Sequence, residues 1–241
     1  MADHDTQQRP GGPRLAVVVS HHGLLAATCA ADLAAADPEL RVILVGEGAA
    51  DPDLTLDDVV SAHGPVSVLV TVPRLGVPGR SAAAQPSAGT SAVAGADEVA
   101  MADAAVRAVV PAMQRAGGGR IVLISEVTGI PGRSWDDGSG AAMWGLVGLA
   151  RSAARDLAVQ GITVNVVRAG VVATAELEAA RAEDSAVAEA VDHAVAATPL
   201  RRLATLDDVA AAVTYLASSE ASYVTGLVLP VDGGLAMGLG N

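Results

Sequence analysis

Six short runs of β-branched and aliphatic residues, separated by segments of helical length, constrain this chain more than any other feature. "RLAVVVS" (14–20) and "RVILVG" (41–46) flank an Ala/Leu-rich stretch at 24–36, which reads as a β-α-β unit. The strand signal returns at "VSVLVTV" (66–72), "RIVLIS" (120–125), "ITVNVVRAG" (162–170) and "LVLPVDGG" (227–234). Segments near 98–116, 140–158 and 206–218 are helical in period and composition. Such alternation builds an α/β domain: a parallel sheet covered by helices on both faces. "GVPGRSAAAQPSAGTSAVAG" (76–95), rich in small residues, Gly and Pro, is expected to be an irregular surface segment.

At 241 residues and 51% hydrophobic content the chain has enough apolar material for one core, so 14–241 is read as one domain. Residues 1–13 are polar and lack the apolar centre of a signal peptide, and are expected to be a disordered tail on a cytoplasmic protein. No apolar run approaches the roughly 20 residues that span a bilayer. The formal charge of −12 opposes nucleic-acid binding, which needs a basic surface. Cys29 is the sole cysteine, which excludes an internal disulfide and a cysteine-based metal cluster; no metal site is expected. All 15 basic residues are Arg, so neither a Schiff base nor lysine-assisted proton transfer is available.

"VRAVVPAMQRAGGGRIVLIS", "GLVGLARSAARDLAVQGITVNVVRAG" and "TPLRRLATLDDVAAAVTYLASSEASYVTGLVLPVDGG" resemble the short-chain dehydrogenase/reductases, most nearly the β-ketoacyl-ACP reductases. The resemblance is strong over 98–241 and extends by strand order to residue 14. It implies a single Rossmann-type, doubly wound sheet, usually in a tetramer, that reduces a carbonyl with NAD(P)H.

The family's functional residues do not carry over. Its serine position, set by "SEVTG", holds Glu126, with Ser125 one step away. Its tyrosine position, 13 residues on, holds Ser139, and its lysine position holds Met143. Counting back from "AVVPAM" places its helix asparagine at Glu98. The only tyrosines are Tyr215 and Tyr223, in the C-terminal segment. In the family the tyrosine protonates the nascent alkoxide and the lysine lowers its pKa; a serine hydroxyl beside a thioether cannot do this near neutral pH.

The resemblance also implies T-G-x-x-x-G-x-G after the first strand, a turn that lets backbone approach pyrophosphate at a helix N-terminus. This chain has "SHHGLLAAT", in which Ser20, His21 and Gly23 are vestiges and Cβ atoms at His21, Leu25 and Ala27 are expected to crowd the phosphate. "TVPR" replaces the N-N-A-G segment expected after strand 66–72. Glu47 remains in place to hold a ribose diol, although a solvated loop carboxylate is the plainer reading.

Three functions stay open. The first is a non-catalytic subunit of a heteromeric ketoreductase, with no cofactor of its own, paired in a tetramer with a catalytically complete paralogue. The family's helix interface (98–116 and 140–158, Ala150 included) and its C-terminal interface look preserved while the catalytic residues are gone. The second is a repurposed isomerase, dehydratase or cyclase, with Glu126, Glu98 and His21 as acid/base candidates and His22, Arg133, Trp135, Asp136, Asp137 and Arg168 nearby. Against it stands a structural role for each: Glu126 paired with Arg168, the histidines filling the dinucleotide's space, Trp135 and Trp144 packing. The third is an active NAD(P)H reductase with unusual residues. The family's substrate lid corresponds to 172–198, whose order the sequence leaves open.

Overall fold

Each strand signal becomes a strand, and all six are parallel neighbours in one sheet. The computed structural model describes residues 14–46, 48–51, 53–78, 91–127 and 139–237, and for 91–96 and 139 the backbone alone. The strands are β1 (Arg14–Ser20), β2 (Leu40–Gly46), β3 (Val66–Val72), β4 (Gly119–Glu126), β5 (Ile162–Ala169) and β6 (Val228–Val231). Their order is β2-β1-β3-β4-β5-β6, so the winding reverses between β1 and β3. That reversal is the switch point at which doubly wound sheets of this kind open a ligand crevice. The first half holds only two strands, where the order 3-2-1-4-5-6 has three, and β2 is therefore an edge.

Strand residues point alternately to two apolar layers. Ala16, Val18, Val68, Val70, Ile124 and Val167 face α1 (Gly23–Ala36) and α7 (Leu206–Ala217). Val17, Leu69, Ile121, Leu123, Val164 and Val166 face α2 (Leu56–His63), α3 (Ser91–Ala116) and α4 (Ser139–Leu157). With both faces covered, nearly every central-strand side chain is apolar, which is why the strands were visible as continuous runs.

The structure differs from the sequence reading in three places. Helix α2 was not expected because only one of its side chains, Val59, is fully buried, yet Thr55 and Asp58 form a reciprocal capping box at its start. Helix α3 begins at Ser91, inside the stretch expected to be irregular. Strand β6 is four residues rather than eight, because the chain turns at Asp232, whose carboxylate accepts from the N–H groups of Gly234 and Ala236. The segment 172–198 is ordered as α5 (Ala175–Glu183) and α6 (Ser185–Ala197), N-capped by Thr174 and Asp184. Leu177, Ala180, Val187 and Val191 give these helices a small core of their own, packed on Val77, Val171 and Leu203. Among the described residues no helix is long and apolar enough to cross a membrane.

Candidate functional site

At the carboxyl end of β1 the chain closes over its own helix terminus. Buried Ser20 accepts from the His22 N–H through Oγ at 2.8 Å. His22, also buried, is the N-cap of α1: its Nδ1 accepts from the Leu25 N–H at 3.2 Å, and its carbonyl accepts from the Ala26 N–H at 3.1 Å. An imidazole that accepts at Nδ1 carries its proton on Nε2 when neutral. Nε2 lies 3.9 Å from the Glu176 carboxylate at the start of α5. Glu176 is held below the usual glutamate range, first by its own backbone N–H and then by the Thr174 hydroxyl and His22.

The loop after β2 completes the closure. Gly48 has φ +86°, and a Cβ there would lie 2.8 Å from Gly23 Cα, so its backbone rests directly on the first residue of α1. Gly46 has φ +91°, and a Cβ there would fall 2.5 Å from the Ser20 carbonyl oxygen. Only glycine tolerates either position. Glu47, between them, lies outside the described residues.

One expectation for this region is corrected: Leu25 does not crowd a phosphate position, because its side chain is fully buried in the core beneath α1. His22 and the Gly48 backbone are the groups set against the first turn of α1. His21 contributes its main chain, donating to the Val72 carbonyl at 2.9 Å and lacing β1 to β3 across the switch point.

A second cluster forms where β3, β4 and α3 meet. Glu126 ends β4 and accepts from the Gly76 N–H at 2.7 Å. Glu98, half-buried on α3, has its carboxyl pushed up to about 8, first by burial and then by the charge of Glu126, with the Arg74 guanidinium opposing. Near pH 7 Glu98 is therefore largely protonated. Arg74 is the member that sequence reasoning missed; its signal was an arginine in "TVPR" where a glycine was expected.

The remaining family positions lie on α4. Met143 is 3% exposed and packed in the core under α4, while Ser139 opens α4. Arg168 turns toward Asp232, Nη2 to Oδ2 at 3.9 Å, rather than toward Glu126. Its partner across the β4–β5 ladder is Ser125. Ser125 Oγ and Arg168 Nε are buried with no hydrogen-bond partner among the described residues. Trp144, expected as packing, is half exposed on α4. Arg133, Trp135, Asp136 and Asp137 lie outside the described residues.

Residues 93–236 match a family model described as "Enoyl-(Acyl carrier protein) reductase". The chain belongs to the short-chain dehydrogenase/reductase family. It is 41% identical over 126 residues to the 3-oxoacyl-[acyl-carrier-protein] reductase MabA of Mycobacterium avium, covering 52% of this chain and 47% of that protein. It is 40% identical over 131 residues to the FabG reductase of Salmonella typhimurium, covering 54% and 51%. The chain thus spans about half the length of the curated relatives it matches. Among solved structures, a short-chain dehydrogenase/reductase from Burkholderia thailandensis superposes with a TM-score of 0.76 at 26% identity, covering 94% of both chains.

Proposed function

We propose that this chain has left hydride transfer and acts as a non-catalytic structural or regulatory subunit of a heteromeric ketoreductase, paired with a catalytically complete paralogue. The observation that carries the reading is the closed first turn of α1. A pyrophosphate at a helix N-terminus needs free backbone N–H groups and space in front of them. Here the Leu25 N–H, one of the donors that the helix itself leaves unpaired, is taken by the His22 imidazole, and Gly48 occupies the space over Gly23. The residues present do not fit a dinucleotide pyrophosphate at this helix terminus.

The assembly half of the proposal draws on what is left uncovered. Tyr215, Tyr223 and Leu227, around the α7–β6 connection, are exposed, and β6 is only partly buried. On α4 the outward row is Ala141, Trp144, Gly148 and Ser152. Ala150, expected on the interface, is 1% exposed and belongs to the core, so interface variants belong at Gly148 or Trp144.

The test is co-expression with a complete short-chain reductase encoded beside this gene. Native mass spectrometry is expected to show a complex of near-equal stoichiometry that Gly148→Asp weakens, and calorimetry is expected to show no better than weak NADH or NADPH binding by this chain alone. Separate elution of a fully active paralogue overturns the subunit reading, and micromolar nucleotide binding overturns the closed-site reading.

The Glu98–Glu126 pair favours a second reading. A protonated carboxyl beside an ionised one is an acid/base couple suited to proton transfer without redox change, as an isomerase or dehydratase requires. Loss of such turnover in both Glu98→Gln and Glu126→Gln would support it.

A further inference from the structure

Two buried hydrogen-bond donors sit side by side at the carboxyl ends of β4 and β5 without an acceptor. Ser125 and Arg168 are register partners, each the last residue but one of its strand, so their Cα atoms are about 4.8 Å apart. Alternation along the strands sends both side chains to one layer, because Leu123 and Val166, two residues earlier, pack on the α3 and α4 side. Ser125 is 2% exposed and the Arg168 side chain 11%. Neither Ser125 Oγ nor Arg168 Nε has a hydrogen-bond partner among the described residues.

The charge nearest Arg168 is already committed. Asp232 accepts from the Gly234 N–H through Oδ1 at 2.9 Å and from the Ala236 N–H through Oδ2 at 3.2 Å. Its Oδ2 stands 3.9 Å from Arg168 Nη2, beyond hydrogen-bond length. A buried guanidinium whose counter-ion serves a turn, beside a buried hydroxyl with nothing to donate to, is costly until an acceptor arrives.

We propose that Ser125 and Arg168 form a binding site for a small monocarboxylic acid, whose carboxylate accepts from the Ser125 hydroxyl and from the Nε edge of the guanidinium. The planar edge of an arginine matches the two oxygens of a carboxylate. The surrounding charge sets the class. Glu98 lies on the same stripe of α3 as Ala102 and Ala105, which pack in this layer, and near pH 7 it is largely protonated. A neutral Glu98 tolerates one negative charge beside it. Ionised Glu126 follows Ser125 directly in β4 and opposes a second negative charge. Charge therefore favours a monocarboxylate over a phosphate ester. The binding site stands on the two donors; that the bound acid is a substrate rests on the proton-transfer reading of Glu98 and Glu126.

Butyrate and its uncharged isostere butyramide are the probes, titrated into the full chain at pH 7 and followed by ligand-observed NMR. Wild type is expected to bind butyrate and to bind butyramide about tenfold more weakly. Ser125→Ala is expected to weaken butyrate about tenfold, and Arg168→Gln to abolish its binding, with the fold of each checked by circular dichroism. Thr163→Val is the control. Thr163 Oγ1 is likewise buried without a partner but lies at the opposite end of β5, so its loss is expected to leave butyrate binding unchanged. Failure of the proton-transfer reading has its own signature: turnover indifferent to Glu98→Gln and Glu126→Gln, with this binding pattern intact. No butyrate binding by wild type, equal affinity for the two probes, unaltered binding in folded Ser125→Ala, or an equal loss in Thr163→Val overturns the proposal.

Discussion

Residues 14–78 and 93–236 build the two ends of one sheet, yet only the second stretch is matched by the family model. The interiors do not explain the difference. Val17 and Val18 of β1 are as fully buried as Ile121 and Val122 of β4. What differs is the chain just beyond the strand ends. After β1 come His21, His22 and a helix that starts at Gly23, where the family resemblance implies a glycine turn. After β5 the chain still turns at Gly170, where a Cβ would lie 2.9 Å from the backbone of Asp232. Strand interiors require only apolar volume, which many sequences supply, whereas strand ends are shaped by what they bind.

The sharpest way to press this contrast is to place a charge in each kind of position on one helix. Ala150→Asp puts a carboxylate into the α4 layer beside Leu146 and Val166 and is expected to cost about 4 kcal/mol. Gly148→Asp, two residues away on the open face, is expected to leave the melting temperature within about 2 °C. Denaturant melts of the two variants check the pair; equal losses would mean that α4 is not divided into a core face and an open face.

Rebuilding the family's residues tests whether chemistry can be restored one side chain at a time. The combination Glu126→Ser, Ser139→Tyr and Met143→Lys is expected to fail as a reductase, since positioning the cofactor supplies much of the rate and α1 is closed. Met143 is nearly fully buried, so the lysine alone is expected to cost about 2–3 kcal/mol. NADPH consumption with a β-ketoacyl thioester, followed by absorbance, is the readout; clear turnover would show that the cradle opens.

What the sequence made legible follows the same division. Strands and the long helices were visible because burial on two faces or one leaves a periodic apolar record. That the chain has no lysine, and no tyrosine before Tyr215, needs no fold to be seen. His22 as a cap was not visible, since an imidazole is an uncommon N-cap and nothing in "SHHG" tells which histidine turns inward. Arg74 was hidden because Glu98, the carboxyl whose charged form it favours, is distant in sequence. The capping-box signal at Thr55–Asp58 was present but sat on a helix with little apolar surface.

The carboxyl pair gives a comparison in pH. Glu98 is raised from 4.5 to about 8 in the folded chain. The folded state therefore holds a proton that the unfolded chain has released, and the stability contributed by Glu98 is fully present below about pH 4.5 and lost as pH rises toward 8. The slope from this one group approaches ~1.4 kcal/mol per pH unit within that window. Glu98→Gln is expected to remove the slope and to stabilise the protein at pH 8.5 relative to wild type. Urea melts at pH 5, 7 and 8.5 decide it; an unchanged slope in Glu98→Gln would mean that the pair is open to water.

The smallest effect concerns His22, which fills the α1 terminus in two ways that can be separated. As an N-cap through Nδ1 it is worth about 1 kcal/mol, so His22→Ala is expected to lower the melting temperature by about 2–4 °C. His22→Asn keeps an acceptor at the cap and is expected to lose less than half of that. The contact to Glu176 spans 3.9 Å, and that side chain is 63% exposed, so Glu176→Gln is expected to change stability by no more than a few tenths of a kcal/mol. Calorimetry with NADPH on His22→Ala then asks which part of the closure matters. Because Gly48 still lies over Gly23 in that variant, no gain in binding is expected. A tenfold gain would place the whole obstruction in one imidazole and leave the loop after β2 as a passive cover.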